Sequence, residues 1–276
     1  MKRLLILVLV LLLSSCAKAY EPIDINEDVR IMLTSDLHFI DASLIGSDAF
    51  LETQKKSDGK LSIYINELVD ALKEETLRQR PDFLIISGDL TYNGEKISHE
   101  KLSEILKDIK RNGTYPLVIP GNHDILNAMA IDYSKEELYY TPYITAEDFK
   151  TIYNEFGYED AASKDDSSLS YLFKVNDKLW FFMLDTNTYD KNNMFAASSE
   201  GYLKEETMAW MKEELKEKDP STKVIAFTHH PILNMTSMSD YVITNQSTVK
   251  DFFLDNGIKL VFSGHIHAQN YKEEDG

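Results

Sequence analysis

The 276-residue sequence has one cysteine, Cys16, which excludes internal disulfides and zinc sites built from several cysteines. Positive charge is also scarce, because 29 Lys and Arg residues stand against 46 Asp and Glu residues, giving a formal net charge of −17. We find no basic patch that could offset this charge, so binding to a nucleic-acid duplex is not expected. Hydrophobic residues make up 43% of the chain, which argues against disorder and predicts a globular domain.

The sequence also lacks an apolar run of the about 20 residues that a transmembrane helix needs. Lys2 and Arg3 precede a shorter run, Leu4 to Leu13, and the following Leu13-Ser14-Ser15-Cys16 resembles a bacterial lipobox. In such signals the chain is cleaved before the cysteine, which is then lipidated. We therefore expect residues 1–15 to be a lipoprotein signal peptide, 16–28 a tether and 29–276 the folded domain. An ordinary signal peptide with an incidental cysteine is the alternative.

This interpretation predicts a bacterial protein that is lipid-anchored through Cys16 to the cell membrane and faces the extracytoplasmic side. The membrane would then be a partner through the anchor only. Nothing in the sequence sets the oligomeric state.

Apolar β-branched runs alternate with amphipathic helical segments along the domain, which predicts an α/β layered fold. Several of the runs lack polar alternation, as is typical of strands that are covered on both faces. The predicted strands are Val29–Thr34, Phe83–Ser87, Leu117–Pro120, Ser170–Val175, Leu179–Leu184, Val224–Thr228 and Leu260–Ser263. Apolar stripes at helical spacing start near Leu61, Leu102, Phe149, Trp210 and Val249, and we expect each stripe to pack into the core.

Two stretches interrupt the alternation and are predicted to be irregular insertions, Phe39–Lys60 and the tyrosine-rich Ile125–Asp166. Long insertions of this kind are uncommon unless they have a function. The second follows a strand end closely enough to overhang a site there. Tyr139, Tyr140 and Tyr143 offer stacking faces for a substrate, or else pack the insertion against the domain.

Polar side chains that can bind metals follow five of the predicted strands directly. Six of the seven histidines lie in these segments, and only His99 lies elsewhere, on a helix. Strand ends are where α/β folds build their sites, so the clustering predicts one shared site. The segments are Asp36-Leu37-His38, Gly88-Asp89, Gly121-Asn122-His123-Asp124, His229-His230-Pro231 and Gly264-His265-Ile266-His267.

The series DLH, GD, GNHD, HHP and GHIH resembles the calcineurin-like metallophosphoesterase superfamily, from Val29 to His267. The resemblance implies a four-layer α-β-β-α sandwich around a dinuclear metal centre. It implies that one metal is held by Asp36, His38, Asp89 and His267. It further implies that Asp89 bridges to a second metal, which Asn122, His229 and His265 complete.

The residue types support a transition-metal site. Histidine, carboxylate and one amide oxygen suit two divalent or mixed-valence ions of Mn, Fe or Zn rather than calcium. Two divalent ions outweigh the two negative charges of Asp36 and Asp89, so they can lower the pKa of a bridging water and attract a phosphoryl group. The hydroxide would attack phosphorus in line. His123, oriented by Asp124, would stabilise the transition state or protonate the leaving oxygen.

Some assignments stay open. His230 competes with His229 as a ligand, because neighbours on a strand point in opposite directions. Tyr92 is a minor alternative ligand, and we expect Asp185 to be a turn or supporting residue rather than a further metal carboxylate. The chain ends nine residues after His267, whereas members of the superfamily usually continue with another strand, so the fold is potentially truncated at its C-terminus.

The sequence predicts a metallophosphoesterase, a phosphodiesterase more than a phosphatase, because the Asp-x-His opening resembles the phosphodiesterase branches. Its predicted partner is a small phosphoester substrate. The alternatives are a non-catalytic lipoprotein that binds a metal or solute, and a dinuclear peptidase. The peptidase hypothesis is weaker, because the sequence lacks the Glu-rich set of metal ligands that we expect of a dinuclear peptidase.

Overall fold

The structure is a computed structural model that describes residues 20–24, 26–46, 48–55, 61–192, 196–235 and 241–274. The predicted signal peptide, Cys16 and the first residues of the tether lie outside these ranges. Within them, no helix combines the length and the apolar character needed to cross a membrane.

The first sheet of the described chain is parallel, with the strand order β1-β2-β3. Its strands are β1 (Ile31–Thr34), β2 (Phe83–Ser87) and β3 (Tyr115–Ile119). The helices α2 (Ile65–Gln79) and α3 (Lys96–Arg111) make the crossovers. Every residue of β2 and β3 is buried, which explains why these strands lack polar alternation in the sequence.

The second sheet is mixed, with the order β10-β9-β8-β7-β6. Two of the predicted strands form a hairpin at its centre, where β7 pairs antiparallel with β8. β9 and β10 are added in parallel through helices α5 (Glu205–Lys216) and α6 (Gln246–Asp255). The strands are β6 (Ser163–Lys164), β7 (Tyr171–Asn176), β8 (Leu179–Leu184), β9 (Lys223–Thr228) and β10 (Leu260–Phe262).

The two sheets stack face to face with helices outside them. Phe181 and Met183 of β8 belong to the larger apolar cluster, which spans both sheets, and the Phe181 ring lies 5.5 Å from that of Phe83 in β2. Trp180 and Phe182 point to the opposite face, where a second cluster joins the sheet to α5 and α6. The expected four-layer sandwich is confirmed.

The two insertions contain more regular structure than predicted. The first holds helix α1 (Asp48–Gln54), flanked by short 3-10 turns at Ala42–Leu44 and Ser62–Tyr64. The second holds a small antiparallel pair, β4 (Ile131–Asp132) and β5 (Tyr139–Tyr140). It continues with helix α4 (Ala146–Ile152) and a π turn at Asn154–Tyr158, and a 3-10 turn at Tyr189–Lys191 follows β8. Thr145 caps α4, with a reciprocal bond to Asp148.

One core prediction is wrong. Leu61 and Leu68 share a stripe with buried residues of α2 but are 62% and 46% exposed. Leu61 precedes the helix, and both side chains line a cavity beside Leu33 of β1, which is an edge strand in the described chain. No further strand covers these side chains among the described residues.

Candidate metal centre

The five polar segments meet at one end of the sandwich. Each follows the carboxyl end of β1, β2, β3, β9 or β10, and parallel strands bring these ends to the same edge. The backbones interlock there, because the amides of Asp36 and His38 bond the carbonyls of Gly88 and Asp89, and Gly264 bonds the carbonyl of His229. Segments that are far apart in the sequence are therefore adjacent in space.

The backbone at this end is strained. Seven described non-glycine residues have a positive φ, and five of them are predicted ligands: Asp36, His38, Asp89, His265 and His267. Such conformations cost of order 1–3 kcal/mol each and gather at functional sites. Gly121 is required by close approach, since a Cβ there would collide with the backbone and carboxylate of Asp89.

The first group of donors is compact. The candidate ligand atoms of Asp36, His38, Asp89 and His267 all lie within 4.8 Å of one another. Nε2 of His38 is 3.0 Å from Nε2 of His267 and 3.6 Å from Oδ2 of Asp89. Two imidazoles and two carboxylates thus converge on one point, as metal coordination requires.

The second group surrounds the other oxygen of Asp89. Nε2 of His229 lies 3.5 Å from Oδ1 of Asp89 and 3.0 Å from Oδ1 of Asn122, while its Nδ1 lies 3.0 Å from the carbonyl of Ser87. The His265 ring centre is 5.0 Å from that of His229. One carboxylate therefore faces both donor groups, with a different oxygen toward each.

The electrostatics of the site follow from these contacts. Burial alone would raise the pKa of Asp89, but His229 and His123 hold it well below its usual value. Burial would lower the pKa of His229, yet Asp89 raises it to about 9. Burial lowers the pKa of His265 to about 3, and its Nε2 has no hydrogen-bond partner among the described residues.

The donor set fits the metals predicted from sequence. Four imidazoles, two carboxylates and one amide oxygen form a mixed N/O set that suits Mn, Fe or Zn. The buried Nε2 of His265, which has no hydrogen-bond partner among the described residues, is a nitrogen that a bound ion would satisfy.

The side chains of the open alternatives point in different directions. His229 is the ring directed at Asp89, whereas Nδ1 of His230 lies 2.9 Å from the Thr186 hydroxyl. A candidate ligand atom of His230 also lies within 4.8 Å of those of His229 and His265, so His230 stays an alternative ligand. The Tyr92 hydroxyl accepts a bond from Gln54 and its ring packs against Phe50 and Tyr133, in the core.

Asp185 behaves as the expected turn residue. Its carboxylate accepts bonds from the backbone of Leu169 and from both nitrogens of Asn187. Asn187 in turn donates to the carbonyl of Pro120, so this turn supports the loop that begins with Gly121.

His123 lies beside the first donor group, but Asp124 is not what orients it. The Asp124 carboxylate accepts hydrogen bonds from the backbone N–H groups of Gly121, Leu90 and Thr91. Burial raises the pKa of this carboxyl to about 7. Nδ1 of His123 lies instead 2.9 Å from the Tyr92 carbonyl and 3.0 Å from Oδ1 of Asn93. The proposed orienting role of Asp124 is therefore corrected to a clamp between two loops, because its short side chain turns back toward the backbone.

His99 belongs to the same support, although the sequence placed it outside the site. It is fully buried; its Nε2 lies 3.0 Å from the Asp124 carbonyl and its Nδ1 lies 2.8 Å from the Tyr153 hydroxyl. Its spacing of three and seven residues from Leu102 and Leu106 was the available signal, since it places His99 on the buried face of α3.

Comparison with known proteins agrees with this geometry. The family model described as calcineurin-like phosphoesterase matches residues 29–269. The chain is 24% identical over 233 residues to a cAMP/cGMP dual specificity phosphodiesterase of Mycobacterium tuberculosis (strain CDC 1551 / Oshkosh), covering 84% of this chain and 61% of the relative. It is 27% identical over 188 residues to an Arcobacter nitrofigilis protein described as a probable glycerophosphodiester phosphodiesterase, covering 65% and 55%. The chain thus spans less than two thirds of the length of either relative.

A solved structure shares the fold. The crystal structure of a dimetal phosphatase from Danio rerio superposes with a TM-score of 0.59 at 13% identity, covering 92% of this chain and 85% of that one. The motif series, the stacked sheets and the family match over residues 29–269 lead to one conclusion. The chain belongs to the calcineurin-like phosphoesterase family.

Proposed function

We propose that the protein is a dinuclear-metal phosphodiesterase that hydrolyses small phosphodiesters outside the cytoplasm. The observation that carries this proposal is the placement of Asp89, whose two carboxylate oxygens face two separate donor groups. A single buried carboxylate between two sets of ligands is the arrangement that two-metal hydrolysis needs.

Each metal would have its own ligands. Asp36, His38 and His267 would hold the first ion, Asn122, His229 and His265 would hold the second, and Asp89 would bridge them. Bound ions of Mn, Fe or Zn would supply Lewis acidity and a water of lowered pKa. His123, whose ring lies 4.8 Å from that of His38, is placed to stabilise charge on the phosphoryl group or to protonate the leaving oxygen.

Space beside the donors supports a small substrate. A cavity of about 630 Å³ is lined by Asp36, His38 and His267 at one end and by apolar residues such as Leu33 and Ile65. This volume is in the range of small-molecule sites. The two relatives are named for cyclic-nucleotide and glycerophosphodiester substrates, and this favours a diester over a monoester.

A metal-reconstituted assay tests the activity. It compares an aryl phosphodiester, the matching aryl monoester, cyclic nucleotides and glycerophosphodiesters. We expect faster cleavage of at least one diester than of the monoester, with two ions bound per chain. Faster monoester cleavage would contradict the diesterase assignment. One ion per chain with no hydrolysis of any ester would favour the metal-binding lipoprotein instead.

The location is tested separately. Cys16 is the proposed lipidation site, so Cys16→Ser should move the protein from the membrane fraction to the soluble extracytoplasmic fraction. Its turnover number should not change, because the tether separates the anchor from the metal centre. Unchanged membrane association after verified signal cleavage would refute the anchor.

A further inference from the structure

The orientation of His123 depends on neutral oxygen atoms. Its Nδ1 faces the carbonyl of Tyr92 at 2.9 Å and Oδ1 of Asn93 at 3.0 Å. A backbone carbonyl only accepts hydrogen bonds, so the Nδ1 that faces it carries the proton. The Tyr92 carbonyl therefore places the proton of His123 on Nδ1. The direction of the Asn93 amide decides whether Asn93 adds a second acceptor there.

A third residue fixes the direction of the Asn93 amide. The amide N–H of Met129 donates to Oδ1 of Asn127 at 3.0 Å, which forces the Nδ2 of Asn127 toward its other neighbours. That nitrogen donates to the His123 carbonyl at 3.1 Å and to Asn93 at 3.3 Å. Asn93 must therefore accept, and it does so with Oδ1.

Both amides are held in place. Asn127 is fully buried, and the backbone N–H of Asn93 donates to the carboxyl of Glu95, which is also fully buried. Gly94, which lies between Asn93 and Glu95 in the sequence, has a positive φ, and a Cβ there would come within 2.9 Å of the Asp124 carbonyl oxygen. The loop that carries Asn93 is therefore packed tightly onto the loop that carries His123.

We propose that Asn93, itself held by Asn127, is a positioning residue that holds the ring orientation of His123, as a second acceptor beside the Tyr92 carbonyl, which keeps the proton on Nδ1. Acceptor oxygens at Nδ1 keep a proton there in both the neutral ring and the imidazolium, so the second proton enters and leaves at Nε2. As the imidazolium, His123 would donate the Nε2 proton to the leaving oxygen and return to the neutral ring protonated on Nδ1. This inference rests on the proposed function, because it assigns to His123 a part in phosphoester cleavage.

A spectroscopic measurement tests the tautomer without catalysis. In the zinc-loaded full-length protein labelled with ¹⁵N-histidine, two-bond ¹H–¹⁵N correlations identify which ring nitrogen is protonated. The His123 signals are assigned by their loss in His123→Ala. We expect a protonated Nδ1 in the wild type and in Asn93→Asp, which keeps an acceptor oxygen. A proton found only on Nε2 in the wild type would overturn the proposal even if no variant folded.

Kinetics test whether Asn93 acts through His123. Asn93→Ala should lower kcat for a phenyl phosphodiester by about 10- to 100-fold at unchanged metal content, within the range of acid–base catalysis. The loss should be smaller for a 4-nitrophenyl phosphodiester, whose leaving group needs less protonation. Asn93→Asp should stay within about threefold of the wild type, and the exposed Asn112→Ala is the matched control.

A double-mutant cycle gives the sharpest result. In a His123→Ala background, adding Asn93→Ala should change kcat less than about twofold. Additive losses, or equal losses for both leaving groups, would overturn the positioning role and leave the phosphodiesterase assignment intact. If the wild type cleaves no phosphoester at all, the proposed function fails, and the spectrum still decides the tautomer.

Discussion

The metal centre and the β4–β5 hairpin are built in opposite ways. At the metal centre, Asp89 and His229 are buried, and several contacts determine the position of each group. In the hairpin each strand has two residues, and Tyr140 at its end is 76% exposed. The difference indicates that substitutions at the metal centre disturb several buried contacts at once. Substitutions of the exposed hairpin residues should alter its surface with little effect on the stability of the fold.

The tyrosines sharpen this contrast. Tyr139 and Tyr143 are about half exposed, at 49% and 45%, so they do not pack the insertion against the core as one interpretation of the sequence expected. Tyr133, at the base of the hairpin, performs that task beside Phe50 and Tyr92. None of the three exposed rings, those of Tyr139, Tyr140 and Tyr143, lines the cavity beside Asp36 and His38, so their contact with a substrate stays a prediction.

The largest effect is expected from Asp89→Asn. Loss of one charge between the two donor groups should abolish turnover, by about a thousandfold or more, and weaken binding of both ions. Metal content and the aryl diesterase rate measure this, with the exposed Asp190→Asn as the matched control. Two tightly bound ions and near-normal turnover in Asp89→Asn would show that the ligand assignment is wrong.

His99→Ala should act on stability. The sequence places His99 outside the predicted site, and its buried ring bonds Thr91, Tyr153 and the Asp124 carbonyl. Leaving these groups unpaired should lower the free energy of unfolding by about 2–4 kcal/mol. Urea unfolding measures it, and His99→Gln should recover part of the loss. An unchanged unfolding midpoint in His99→Ala would contradict the supporting role.

Glu95 predicts a dependence of stability on pH. Burial raises the pKa of its carboxyl from 4.5 to about 8, so the folded state keeps a proton that the unfolded state has lost. The free energy of unfolding should therefore fall as pH rises from about 5 to 8, by up to about 1.4 kcal/mol per pH unit from this group. Glu95→Gln should remove that slope.

The wild type and Glu95→Gln are unfolded in the presence of a chelator at several pH values, and the free energies of unfolding of the two proteins are compared at each pH. The difference reports Glu95 together with its charge interaction with Asp124, whose pKa is also raised, to about 7. Parallel pH curves would mean that the carboxyl titrates normally.

The smallest stability effect is expected from Tyr140→Ala, within about 0.5 kcal/mol of the wild type, because its ring is mostly in solvent. Tyr133→Ala, its buried counterpart, should cost about 3 kcal/mol. If the hairpin contacts substrate, Tyr140→Ala should change the relative rates across the phosphodiester panel. Unchanged relative rates would assign the exposed tyrosines no part in selectivity.

Much of the architecture was predictable because it rests on local patterns. The parallel strands β2 and β9 appear at the apolar runs, within one residue of the predicted bounds. β3 begins two residues earlier than predicted, at Tyr115, where pairing with β2 extends past the apolar run. Helix α1 was missed because a seven-residue helix with few apolar positions has no clear periodic signal.

The sequence by itself determined where most strands and helices lie and which polar segments follow the strands, because apolar periodicity, strand ends and the glycines beside them are local features. The four-layer order and the ligand set were implied by the family resemblance of those segments. Only the tertiary structure decided that His229 rather than His230 faces Asp89. It also decided that the Tyr92 carbonyl and Asn93, rather than the Asp124 carboxylate, lie against Nδ1 of His123. Those choices depend on which loop packs against which, and adjacency in sequence does not determine which side chains touch.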